Sequence, residues 1–188
     1  MTSVTPEKGL LLLDGARYED AIDWLYEHYG PDNPQSLFKG TAYESICAAG
    51  PFLLDASLGS AAYTAWWGGS DLQHGVWLAS PKSAQQLLPM LQRRIRIFDE
   101  QQREFWLRLA DGAVLNRAWL AGAQWPAGFW FGVDSVWLRH GNAQVCAWEN
   151  EAPEYDSAPA NKGLAAQIIL PELLLHALSL PANPEKNA

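Results

Sequence analysis

LFKGTAYESICAAGPFLLDAS, residues Leu37–Ser57, carries the signals from which the fold is read. Thr41 and Glu44 have capping-box spacing: the Thr hydroxyl can take the orphan N–H at Glu44 while the Glu carboxylate reaches back. That spacing predicts a short helix running through Ile46 and Cys47. Gly50 is expected to turn left-handed just past its end, and Pro51 cannot continue it. Phe52-Leu53-Leu54 is then an apolar run of strand character, closed by Asp55. A capped helix, a hard stop and a buried strand make one rigid unit.

The rest of the chain extends that unit on both sides. Upstream, Leu10–Leu13 reads as a buried strand ending at Asp14-Gly15. Tyr18, Ile22, Leu25, Tyr26 and Tyr29 share a helical face that Gly30-Pro31 ends. Downstream, Ser60–Trp67 suits a short helix stopped by Gly68-Gly69, and Val76–Ala79 another buried strand. Ser83 and Gln86 form a second capping box before Ala84, Leu87, Leu88, Leu91 and Ile95, with Pro89 inside the segment. Alternation at Arg94–Ile97 hands over to a hairpin, turning at Asp99–Arg103 and returning through Phe105–Leu109. Asp111 caps a helix with Gly122 beyond its end. Phe129–Phe131, Val136–Arg139 and Ala143–Trp148 read as strands. Pro171 and Glu172 suit the first turn of a final helix, with a frayed tail from Pro181.

Interleaved strands and helices predict a single domain of α/β (mixed α+β) class, with a mixed central sheet flanked by helices. Its core runs over about residues 10–148, followed by an exposed acidic loop over 149–163 and a C-terminal helix over 171–180. No repeat or linker divides it. The 188 residues are enough to bury about 70% of the unfolded surface without a disulfide or metal. Thirteen basic against twenty-one acidic residues leave a net charge of −8, which argues against nucleic acid and against an anionic membrane surface. Cys47 and Cys146 fit buried thiols in a reducing compartment. Leu164–Leu180, the most apolar stretch, is too interrupted to span a bilayer, and the N-terminus is too short in apolar residues for a signal peptide.

Residues that could carry chemistry are sparse. Ser70, Asp71 and His74 sit close together, but no Gly-x-Ser-x-Gly elbow accompanies them. His28, His74, His140 and His176 have no partners at metal spacing. Glu149, Glu151, Glu154 and Asp156 read as a solvated loop face. No catalytic residue, metal or cofactor is therefore expected. The ten tryptophans are the surplus to explain. Trp66-Trp67 and Phe129-Trp130-Phe131 put consecutive rings on opposite sides of an element, so one of each set can face outward. Arg93, Arg94, Arg96, Arg103 and Arg108 form the chain's basic region, read as a solvated hairpin face. Trp66, Trp67, Arg93, Arg94, Arg108 and Trp130 are thus the candidate partner-binding residues.

Four ordered stretches carry a family likeness: LLLDGAR (Leu11–Arg17), the opening stretch, GVWLASPKSAQQLLPMLQRRIRI (Gly75–Ile97) and FWLRLADGAVLNRAWLAG (Phe105–Gly122). Together they resemble the type VI secretion effector-chaperone family (Tap or TEC adaptors), over roughly residues 10–140. The most specific residues are Leu37, Gly40, Thr41, Gly50, Pro51, Phe52 and Leu53, with Glu44 and Asp111 as further structural positions. Gly112 and Ala113 depart from it, standing where relatives usually carry Pro-Arg. The resemblance implies a bacterial, cytoplasmic, non-catalytic adaptor. Such a protein binds a secreted effector, keeps it soluble and loads it onto the spike protein VgrG. A groove or an exposed strand edge would do the holding. Two other readings remain: an immunity protein neutralising a toxin, and a small hydrolase using Ser70 and His74. Oligomeric state is not legible.

Overall fold

The computed structural model describes residues 5–179. Strand β1 (Gly9–Asp14) is followed by helix α1 (Ala21–Tyr29), the two-residue strand β2 (Gln35–Ser36) and β3 (Pro51–Asp55). Then come α2 (Ala61–Gly68), β4 (Val76–Ala79) and α3 (Ala84–Gln92). A small ribbon of β5 (Arg96–Phe98) and β6 (Glu104–Trp106) leads into α4 (Gly112–Leu120). The chain closes with the hairpin β7 (Ser135–His140) and β8 (Ala143–Glu149), and then α5 (Glu172–Ser179). Six strands form one sheet in the order β2-β3-β1-β4-β7-β8, and β5-β6 stands apart.

Successive side chains of a strand point to opposite faces, and here both faces are covered. Leu11, Leu13, Leu54, Trp77 and Trp137 pack with Leu25 of α1 and Trp66 of α2. Leu10, Leu12, Val76, Leu78 and Leu138 pack on the other side with residues of α3, α4 and α5. Leu10–Leu13 are therefore all buried, each contributing about 1.5–3 kcal/mol of transfer free energy. The α+β class, the single domain and the flanking helices are as expected. The sheet itself is antiparallel in every pairing, not mixed. An unbroken apolar run reports two covered faces, and strand direction leaves no mark on it.

Local capping chemistry sets the helix ends. The Ser60 hydroxyl accepts from Tyr63 N–H, and the full Ser83–Gln86 capping box forms at α3. The Asp111 carboxylate caps α4, and left-handed Gly69 and Gly122 follow α2 and α4. The face of α1 differs from the expected one: Ala21, Leu25 and Tyr29 are buried, whereas Ile22 and Tyr26 are exposed. Asp20 is left-handed (φ 48°), so the helical phase cannot be carried forward from Tyr18.

The Leu37–Ser57 unit keeps its turn and strand but not its expected cap. Thr41 Oγ1 accepts from Tyr43 N–H (3.1 Å), and the Glu44 carboxylate reaches Gly40 N–H (2.9 Å). Glu44–Ala49 is a 3-10 segment broken at Ile46. Gly50 is extended (φ −84°, ψ 178°), so the left-handed expectation is wrong. Its need for glycine is steric: a Cβ there would lie 2.4 Å from the Phe38 ring. Phe129–Phe131 is a turn instead of a strand, because Phe129 and Trp130 are both buried without a neighbouring strand. The end of the final helix at Leu180 and the tail from Pro181 lie outside the described residues.

Candidate functional site

The Leu37–Ser57 unit and the β5-β6 ribbon face one another across a depression of about 240 Å³. Phe38, Ile46, Gly50 and Pro51 wall one side; Trp106 and Leu109 wall the other. Trp106 is 49% exposed and Ile46 47%, so the walls are apolar and open. Edge-to-face contacts with Tyr43 (4.3 Å) and Phe38 (5.6 Å) fix the Trp106 ring. A second depression, about 310 Å³, continues past Trp106 along Phe105, Val114, Leu175 and Leu178.

The ribbon also offers its backbone. Asp99 N–H donates to Arg103 O and Leu107 N–H to Ile95 O, each about as short as a ladder bond (2.9 and 2.8 Å). Residues 103, 105 and 107 therefore pair inward, and Glu104 and Trp106 aim their N–H and C=O groups away from β5. Among the described residues no strand pairs with that outer edge. All three β6 residues are exposed. An unpaired edge flanked by exposed rings is a template for another extended chain.

A chain of ion pairs rims the groove. Arg108 reaches Asp14 (2.9 Å) and Asp111 (3.0 Å), and Arg17 reaches Asp111 (3.1 Å). The Asp111 carboxylate also accepts Ala113 and Val114 N–H, so the helix cap and the rim share one side chain. The hydrogen bond to Asp14 is the main reason the Arg108 guanidinium is held above its ordinary pKa. Gly112 N–H donates to His74 O (3.0 Å), and a Cβ at Gly112 would lie 2.6 Å from that oxygen. A proline at 112 would lose this bond, and any Cβ would crowd the His74 and Gly75 carbonyls, which accounts physically for glycine at that position.

Most of the partner-binding candidates from the sequence lie elsewhere. Trp66 is buried and donates to Gly75 O (3.0 Å); Trp67 is half-buried against Tyr63 and Trp137. Trp130 is buried too. Arg93 and Arg94, expected on a solvated face, are inside: they grip Asp156 at 2.9 and 2.7 Å and cover neighbouring carbonyls. The acidic loop is consequently pinned at Asp156 and Ala158, while Glu149, Glu151 and Glu154 stay exposed. Of the six candidates only Arg108 reaches the groove. Of the motif positions, Gly50, Pro51 and Asp111 line it, Gly40, Thr41 and Glu44 build the adjoining turn, and Phe52 is core.

Sequence reading passed over Ile46, Phe105 and Trp106 as surface residues. The signal was present: a two-stranded ribbon cannot bury both its faces, so adjacent rings in it must leave one outside. Ser70 donates to Ala65 O (3.2 Å) at the end of α2, and among the described residues no hydrogen bond joins the side chains of Ser70, Asp71 and His74. Burial, and then Arg17, lower the His74 pKa. Among the described residues no group of His, Cys, Asp and Glu could hold a metal, and no helix is long and apolar enough to cross a membrane.

Compared with known families, the chain matches one model, described as a domain of unknown function (DUF4123), over residues 10–125. No curated protein and no solved structure matches it. The matched stretch includes the whole first depression, its ionic rim and the β6 edge.

Proposed function

The chain belongs to the DUF4123 family, and on that premise we propose that it is a cytoplasmic chaperone and adaptor for a type VI secretion effector. It holds an extended segment of the effector against β6, with apolar side chains of that segment in the groove, and delivers the effector to the VgrG spike. No bond is made or broken. One observation carries the reading: Gly50, Pro51, Arg108 and Asp111, far apart in sequence, converge on one open apolar groove beside an unpaired strand edge. Such an edge matches a partner's main-chain hydrogen bonds, and the groove matches its alternate side chains.

Co-expression with the effector encoded beside its gene tests this. The expected outcome is a stable complex with the wild-type chain and loss of effector solubility without it. Deleting the gene is expected to abolish export of the toxin. Intact export combined with sensitivity to the toxin would identify an immunity protein instead.

A further inference from the structure

The rim of the groove is saturated on its acidic side and open on its basic side. One Asp111 carboxylate oxygen accepts from Arg17, Ala113 N–H and Val114 N–H, and the other pairs with Arg108. Asp14 accepts from Ala16 N–H at Oδ1 and from Arg108 at Oδ2. Arg17 and Arg108 make all of these contacts through Nη2 alone. A guanidinium carries five N–H donors in a fixed fork, so among the described residues the Nε and Nη1 donors of both arginines are unused. Exposure follows the same division. The Arg17 and Arg108 side chains are 34% and 64% exposed, against 5% for Asp111 and 12% for Asp14. The four charges cancel in sum, yet the cations are what solvent meets.

Strand β6 borders both depressions. Trp106 walls the first, while Phe105, whose side chain leaves the strand on the opposite face, lines the second and not the first. A strand added to the β6 edge sends its successive side chains the same two ways. One enters the first depression, among Phe38, Ile46 and Trp106. Its neighbour in sequence enters the second, where the charged lining is Arg17, Arg108, Arg117 and Asp111 beside the apolar Phe105 and Leu178. An alkyl stem suits that apolar wall, and a carboxylate at its end takes the unused guanidinium donors in the planar pairing that such forks favour. The net charge of −8 over the whole chain opposes a polyanion such as nucleic acid.

We propose that the segment held along β6 carries an aspartate or glutamate that docks on Arg17 and Arg108 in the second depression, next in sequence to an apolar residue seated in the first. The inference rests on the reading of β6 as the holding edge and adds the chemistry of what is held. Apolar contact supplies the burial, and the acidic neighbour selects which apolar segment is taken.

The test titrates the full chain, labelled with 15N, with short peptides that tile the effector encoded beside its gene, both peptide ends blocked. Backbone amide shifts at Glu104 and Trp106 identify the peptides that bind along β6. Those peptides are expected to contain an acidic residue beside an apolar one. Replacing that acid by its amide, Gln for Glu or Asn for Asp, should weaken binding at least about threefold at low ionic strength. In the Arg108→Gln chain the same replacement should change affinity little, because the pairing it removes is already gone. A peptide that binds along β6 without an acidic residue, or whose affinity ignores the amide replacement, would overturn the inference while leaving the effector reading in place. If no peptide moves the Glu104 and Trp106 amides, both are overturned. Should Arg108→Gln fail to fold, the peptide replacements in the unaltered chain still decide it.

Discussion

Two arginine clusters in this molecule use the same ion-pair chemistry to different ends. Arg94 is fully buried, bonded to Asp156 (2.7 Å) and to the carbonyls of Met90 and Gly128 (both 3.0 Å). The Arg108 side chain is 64% exposed and pairs with Asp14 and Asp111 at the rim of the groove. The first cluster staples the loop after β8 onto the segment that follows α3, across a sequence separation of 62 residues. The second leaves its cations facing solvent at the mouth of an apolar groove. Burial, not residue type, decides which arginine holds the fold and which is available to a partner.

Breaking the buried cluster should have the largest effect. Asp156→Ala leaves Arg94 charged and uncompensated inside the protein, and should lower stability by about 3–5 kcal/mol in denaturant unfolding. A loss below about 1 kcal/mol, as expected for an exposed pair, would erase the contrast.

Acid should attack the same cluster. Burial alone would raise the Asp156 carboxyl, but hydrogen bonds from Arg94 and Ala158, the charge of Arg94 and a bond from Arg93 outweigh it and hold the group below its usual 3.8. A depressed carboxyl stabilises the fold above its unfolded-state value, and that contribution disappears as pH falls through the folded-state value. Asp156→Asn should therefore flatten the fall in Tm below about pH 4. An unchanged acid limb would contradict the assignment.

Between the two clusters lies the groove wall. Gly50→Val drives a side chain into the Phe38 ring and should cost about 1–3 kcal/mol through overpacking, measured by thermal unfolding. The rim should show the smallest effect on folding. Arg108→Ala should change stability by less than about 1 kcal/mol. The same change is expected to weaken effector capture in a pull-down, because Arg108 borders both depressions.

Local and distant physics were not equally legible. Leu10–Leu13 and Val76–Ala79 announce buried strands by contiguity, and Ser83-x-x-Gln86 announces its helix by a bond between neighbours. Gly50 looked like a helix terminator, but its partner is the Phe38 ring twelve residues upstream, and spacing does not encode that contact. Arg93 and Arg94 read as surface charges because their counterion lies more than sixty residues away. The groove was half legible. Its glycine, proline and aspartate were singled out by resemblance and Trp106 was signalled by the two-stranded ribbon, while the place of Ile46 opposite that ring depends on a contact between distant segments that spacing does not encode.

The account turns on whether β6 receives another chain. Amide hydrogen exchange of the purified protein, alone and in complex with the effector, reads this at Glu104 and Trp106, whose N–H groups face outward. Exchange at those two amides should slow at least about tenfold in the complex, while the inward-paired Phe105 changes little. A complex that forms fully and leaves Glu104 and Trp106 exchanging as in the free chain would contradict the account.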